Sequence, residues 1–169
     1  NQKCKETLSL HFDTSEWDFQ LVEDGETLSL GRRSLTFINT PMAHWPESMF
    51  TYVPEEKLLF SMDAFGQHYA SSWRFDDQAP MEEVMQEAKT YYANILMPYG
   101  KQVGAVMEKA KGIEIDIVAP SHGVIWRKHF DKIVAAYQDW TQMKAKPKLL
   151  ILYDSMWGST RKMAQAIEE

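Results

Sequence analysis

Three loop residues of this chain carry metal-ligating side chains at equivalent places in its pattern: His44, Asp63 and His122. Each stands just beyond a run that reads as a β-strand, at residues 35–39, 57–61 and 113–119. Strand ends on one side of a sheet converge in space. Residues separated by 18 and 58 intervening positions can therefore share a site. Imidazole and carboxylate together suit zinc, iron or manganese. A carboxylate has two oxygens, so Asp63 can bridge two metals while each histidine serves one. The spacing alone also fits a blander account, with Asp63 capping a turn and His122 beside Gly123 satisfying backbone groups. His68 reads either as a hydrogen-bonding support for such ligands or as a loop residue. His11 and His129 lie in polar surroundings that give them no role.

A second group lies near the end of the chain, in Ser155-Met156-Trp157-Gly158-Ser159-Thr160. It falls between an apolar run and the start of a helix. Hydroxyls and free backbone N–H groups at a helix N-terminus form a cradle for an anion. No Walker-type lysine follows Gly158, so the cradle suits a phosphate monoester better than a nucleoside triphosphate with magnesium. Ser159 or Thr160 acting as a plain N-cap fits the same residues.

The elements that must position these residues are legible. Runs at 18–22, 26–30 and 35–39, split by Asp24-Gly25 and by Gly31-Arg32-Arg33, predict β-hairpins. Runs at 48–53 and 57–61 predict another, turned at Pro54-Glu55-Glu56. Met81, Val84, Met85, Ala88, Tyr91, Tyr92 and Ile95 recur at helical spacing over 81–97, and Pro98 ends the run. A second helix is predicted over 103–111, stopped by Gly112. Ile113, Ile115 and Ile117 alternate as in a strand, and Phe130, Ile133, Val134, Tyr137 and Trp140 mark one face of a helix. After the polar linker Lys144-Ala145-Lys146-Pro147 comes a continuous apolar run at 149–153, the pattern of a parallel strand buried on both faces, and then a helix from Met163. The chain is α/β.

Composition narrows the class. With 44% hydrophobic and 25% charged residues the chain is an ordinary globular sequence, which excludes a disordered chain, a collagen repeat and a disulfide scaffold. Its net charge is −6 and no basic run exceeds two residues, which argues against binding nucleic acid or an anionic membrane surface. No stretch approaches the ~20 apolar residues of a membrane span. The opening Asn-Gln-Lys-Cys-Lys-Glu has no signal-peptide core. The single Cys4 has no internal disulfide partner, which favours a reducing compartment.

Three segments together resemble a known family. They are Thr40-Pro41-Met42-Ala43-His44-Trp45-Pro46-Glu47-Ser48-Met49-Phe50, Ser61-Met62-Asp63-Ala64-Phe65-Gly66-Gln67-His68 and Pro120-Ser121-His122-Gly123. In order and spacing they resemble the flavodiiron proteins, also called A-type flavoproteins or rubredoxin:oxygen oxidoreductases. Tyr153-Asp154-Ser155-Met156-Trp157-Gly158-Ser159-Thr160 resembles the start of their flavodoxin-like domain, and the linker falls where the family's does.

The resemblance implies that residues 1–143 are the C-terminal half of a metallo-β-lactamase-like αββα sandwich holding a non-haem diiron site. Residues 148–169 are then the first βα unit of a flavodoxin-like domain holding FMN. It further implies reduction of O₂ to water or of NO to nitrous oxide in the cytoplasm, with electrons from rubredoxin or a similar donor. His44 and His122 are each expected to bind one iron and Asp63 to bridge both. Ser155, Trp157, Gly158, Ser159 and Thr160 are expected to line the FMN phosphate site. A head-to-tail homodimer brings one subunit's flavin near the other's irons. The family's first three ligands come from a His-x-Glu-x-Asp motif that this sequence lacks, so the chain reads as an internal piece of a longer enzyme, inactive alone. Two rivals remain at this stage: a dizinc hydrolase on the same fold, and a metal-free fragment that folds only by pairing with another chain.

Overall fold

The structure, a computed structural model, describes residues 1–169. Five strands form one sheet in sequence order: β1 (Thr27–Ser29), β2 (Ser34–Asn39), β3 (Met49–Val53), β4 (Leu58–Phe60) and β5 (Ile117–Ala119). The first four are antiparallel neighbours, and β5 joins β4 in parallel. The parallel pairing requires a crossover, which helices α2 (Met81–Tyr91) and α3 (Gly100–Lys109) supply. Two further helices, α4 (Phe130–Thr141) and α5 (Ser159–Glu168), follow the sheet, and α1 (Gln2–His11) precedes it.

Register sorts the side chains. Ile38 lies opposite Phe50, and Leu59 beside Val118, on one face of the sheet. All four are buried in the single core cluster. Helix α2 brings Val84, Ala88 and Tyr91 to this core, α3 brings Val103 and Val106, and α4 brings Ile133 and Tyr137. Steps of three and four residues put each set on one helical stripe. Each fully buried aliphatic side chain contributes about 1.5–3 kcal/mol to folding. The other face carries Phe37, Thr51, Phe60 and Ala119 in one cross-strand row. Phe60 on that row is exposed. No helix of the chain is long and apolar enough to cross a membrane.

Several expectations need correction. Residues 18–22 form no strand, and β1 is the sheet's edge. The alternation over 113–119 yields pairing only at Ile117–Ala119, because its partner β4 is three residues long. Helix α2 ends at Tyr91 and continues as a π-type turn over Tyr92–Leu96 and a 3₁₀ turn over Met97–Tyr99. Pro98 has no N–H to continue the α-helical ladder, and the wider turn absorbs the break. Helix α3 starts at Gly100 rather than 103, and α5 starts at Ser159 rather than Met163. The apolar run 149–153 pairs with nothing, since a parallel strand exists only beside a neighbour. Its Leu149, Leu150 and Leu152 are exposed. Helix α1 was not expected at all. It buries none of its residues and is held by the Asn1 cap, whose Oδ1 accepts from the Cys4 amide at 3.0 Å. The Asn1 Nδ2 then donates to Asn39 Oδ1 at 2.9 Å, anchoring the helix to the end of β2.

One buried carboxylate organises the entry to α4. Asp76 is fully buried and accepts from the amides of Arg127 at 2.9 Å and His129 at 2.6 Å, with Lys128 at 3.3 Å. Asp76→Ala strands these donors. It should cost about 2–4 kcal/mol, read as a lower urea midpoint for the domain. Asp76→Asn keeps one acceptor oxygen and should cost less.

Candidate metal centre

The topology explains why three distant residues meet. Strands β2 and β4 both run antiparallel to β3, and β5 runs parallel to β4. The C-terminal ends of β2, β4 and β5 therefore lie at one end of the sheet. His44, Asp63 and His122 follow those three ends.

Each loop is bent sharply within two residues of its candidate ligand. Met42 (φ 61°), Met62 (φ 52°), Phe65 (φ 66°) and Gly123 (φ 82°) all take left-handed backbone. Such a conformation costs a non-glycine residue roughly 1 kcal/mol, which the surrounding hydrogen bonds must overcome. Around His44 the buried Thr40 hydroxyl donates to Ser48 Oγ at 3.0 Å, and Ser48 Oγ donates to Ala43 O at 3.1 Å. Around Asp63 the Ser61 hydroxyl donates to Ala64 O at 2.9 Å, and the Gly66 amide to Asp63 O at 3.0 Å. The Phe65 amide donates to the buried Tyr137 hydroxyl at 2.9 Å, and the Trp126 indole to Phe65 O at 2.8 Å. Burial pushes the Tyr137 phenol far above its ordinary range, so it stays protonated. Tyr137→Phe strands the Phe65 amide and should lower stability by about 1–3 kcal/mol in denaturant titration.

The three side chains converge on the carboxylate. His44 Nε2 lies 3.0 Å from Asp63 Oδ2, and His122 Nε2 lies 3.5 Å from Asp63 Oδ1. The two imidazoles thus address different oxygens. No three His, Cys, Asp or Glu side chains close around a single point. Asp63 has two sides, with one nitrogen donor on each. This nitrogen and oxygen set fits half of a two-metal site, and its chemistry suits iron as well as zinc or manganese. Asp63 is largely enclosed while His122 is about half exposed, so the site opens on the His122 side.

Sequence reasoning placed Tyr91 on a core face but not at the site. The residue is buried, and its phenol is held well above the ordinary range by burial first, then by the negative charge of the nearby Asp63. It stays protonated beside the carboxylate. The exposed His68 packs its ring edge-on to Tyr91 at 4.7 Å and to His122 at 5.6 Å. No sequence signal distinguishes a tyrosine hydroxyl aimed at a site from one aimed at solvent. His11 and His129 are remote from the cluster: His11 ends α1 and His129 precedes α4.

The cradle at 155–160 is partly formed. Gly158, in left-handed backbone at φ 84°, is the N-cap of α5, and no side chain caps the helix. Neither Ser159 nor Thr160 plays that part. The Thr160 hydroxyl donates instead to Asp154 O. The Ser155 hydroxyl is enclosed without a hydrogen-bond partner. An unpartnered hydroxyl beside an uncapped helix N-terminus fits a phosphate group. Trp157 is exposed.

The sheet backed by helices, with ligand-type residues gathered at its strand ends, is the arrangement expected of a metallo-β-lactamase-like domain, and comparison with known proteins supplies the class. Residues 2–123 match the family model described as ODP family beta lactamase. The rubredoxin oxygen:oxidoreductase of Desulfovibrio gigas superposes with a TM-score of 0.94 at 40% identity, over 99% of this chain and 43% of that one. The flavodiiron protein of Giardia intestinalis gives 0.92 at 40% identity, over 99% and 41%. A nitric oxide reductase of Moorella thermoacetica is 49% identical over 98% of this chain and 42% of its own length. The chain belongs to the ODP beta-lactamase family. It spans about two fifths of the length of these relatives.

Proposed function

We propose that this chain is the part of a flavodiiron oxidoreductase that supplies three ligands to a non-haem diiron site and the opening loop of an FMN site. The observation that carries the reading is the placement of His44 and His122 on separate oxygens of Asp63. His44 with Asp63 would hold one iron, and His122 with Asp63 the other. Ser155, Trp157, Gly158, Ser159 and Thr160 bound the FMN phosphate, with the unpartnered Ser155 hydroxyl and the α5 amides as donors. Loaded with iron and flavin, such a centre supplies the electrons that reduce O₂ to water or NO to nitrous oxide.

The chain's own residues orient and enclose. Tyr91 keeps its proton beside Asp63. The hydrogen-bonded loops around Ala43 and Phe65 hold His44 and Asp63 in register, so ligand geometry is set before any metal arrives. The half-exposed His122 side leaves a path for a small neutral substrate. Relatives named nitric oxide reductase and rubredoxin oxygen:oxidoreductase support NO or O₂ as substrate and rubredoxin or a similar carrier as donor. A head-to-tail homodimer in the cytoplasm completes the reading, with one subunit's flavin facing the other's irons. A dizinc hydrolase is not favoured, because the relatives are oxidoreductases and the phosphate-type loop has no place in it.

The test is metal and flavin analysis of the full-length protein, followed by NO and O₂ consumption with reduced rubredoxin. Iron, FMN and turnover are expected, with turnover lost in His122→Ala. Zinc without flavin would establish the hydrolase instead.

A further inference from the structure

We propose that Gln67 is a positioning residue that sets the separation between Asp63 and His122, and thereby holds the metal position served by His122. The inference rests on the diiron reading for its consequence but on hydrogen-bond geometry for its substance. Gln67 is a polar residue with no solvent exposure, four positions after Asp63. Its side-chain Nε2 donates to Phe65 O at 2.7 Å. Its Oε1 accepts from the Val124 amide at 2.8 Å. Its own backbone amide donates to His122 O at 3.2 Å. One residue thus grips the Asp63 loop on one side and both neighbours of Gly123 on the other.

The fit around this clamp is tight. A Cβ on Gly123 would lie 2.1 Å from Gln67 Oε1, and a Cβ on Gly66 would lie 3.0 Å from Asp63 O and 3.3 Å from His122 O. The two loops touch through glycine backbone, and the Gln67 amide is the side chain that bolts them together. The Ser121 amide also donates to Met62 O at 2.7 Å and the Ser61 amide to Ala119 O at 3.3 Å, both backbone to backbone, and the Trp126 indole reaches Phe65 O at 2.8 Å from beyond the loop. The primary amide has the required chemistry because it offers one donor and one acceptor in a rigid plane. A carboxylate only accepts and faces the Phe65 carbonyl unfavourably. A thioether of similar length does neither.

The His44 loop is independent of this clamp. It is held by Thr40 and Ser48. Loss of the Gln67 amide should therefore loosen one side of the site and not the other. A merely structural role would instead lower stability and leave the two sides equal.

The test uses the full-length protein and Gln67→Met, which retains length and burial but neither hydrogen bond. Expected are one iron bound as in the wild type and the other bound about 10–100-fold more weakly, the usual loss when support behind a ligand is removed. Mössbauer spectra should then show a lone iron where the wild type has a coupled pair. Gln67→Glu keeps an oxygen for the Val124 amide and should recover part of the second iron. It also serves if the methionine variant does not fold. Two irons bound as in the wild type in both variants overturns the proposal, whatever their stability. If the wild type itself takes up no iron, the diiron reading has failed. The crystal structure of either variant then decides the positioning alone: a His122 Nε2 to Asp63 Oδ1 separation unchanged from 3.5 Å overturns it, and a widened one upholds it.

Discussion

Asp63→Ala should strip both metal positions from the full-length protein, whereas His44→Ala and His122→Ala should each weaken one. The asymmetry follows from the geometry. Each histidine faces a single carboxylate oxygen, at 3.0 and 3.5 Å, while Asp63 faces both histidines. Removing a histidine leaves the other side with its nitrogen and oxygen donors. Removing Asp63 takes one ligand from each side and leaves two imbalanced cation sites without their shared negative charge. Loss of a direct ligand should cost each position at least ~100-fold in affinity, the upper end of what removal of a mere supporting group costs. Activity should fall below detection. Asp63→Asn controls for shape. It keeps the size and shape of the side chain but presents a neutral amide with a single oxygen, so it should fold normally and still bind poorly. Iron per chain, measured by mass spectrometry on all four variants, reads the result. An Asp63→Asn protein with one tightly held iron would show that the carboxylate serves a single metal.

The candidate ligands were legible because each lies in the loop that leaves a strand end, and the strands were legible from alternation and turn residues. Parallel alignment of β2, β4 and β5 then puts their ends together whatever the intervening helices do. What the sequence could not convey is tertiary. Tyr91 shares its helical stripe with Val84 and Ala88, and the pattern says only that all three face inward. Whether the hydroxyl meets Asp63 depends on how far α2 slides along the sheet. Gln67 is a polar residue in a loop, which reads as surface, and it is fully buried because two loops close over it. Helix α1 lacks an apolar stripe and exists through its Asn1 cap, so periodicity cannot find it. The run at 149–153 fails in the opposite sense. Its composition says strand, but pairing is a property of two segments, and none of the five strands lies beside it.

Gly123→Ala should be among the most destabilising single-methyl additions in the chain, and Gly112→Ala separates its causes. Both glycines have left-handed backbone, at φ 82° and 87°. Both alanines therefore meet the same backbone strain, about 1–2 kcal/mol. At Gly112 an added Cβ meets nothing within 4 Å, so strain is the whole cost. At Gly123 the Cβ would sit 2.1 Å from Gln67 Oε1 and 2.8 Å from Gln67 O. The side-chain oxygen can swing away only by releasing the Val124 amide, and the backbone oxygen cannot move without dragging the Asp63 loop. Overpacking of this kind typically adds a further ~1–3 kcal/mol. Gly123→Ala should thus cost about 2–5 kcal/mol against about 1–2 for Gly112→Ala, read from urea midpoints of the full-length proteins under identical conditions. Shortening the neighbour as well, in Gly123→Ala with Gln67→Ala, relieves the 2.1 Å contact but not the 2.8 Å one. Because the two changes share a contact they should not add: the double variant should cost less than the sum of the singles by about 0.5–3 kcal/mol. Equal costs at Gly112 and Gly123 would mean that the loop opens freely, and that the close approach of the Asp63 and His122 loops is not what requires glycine there.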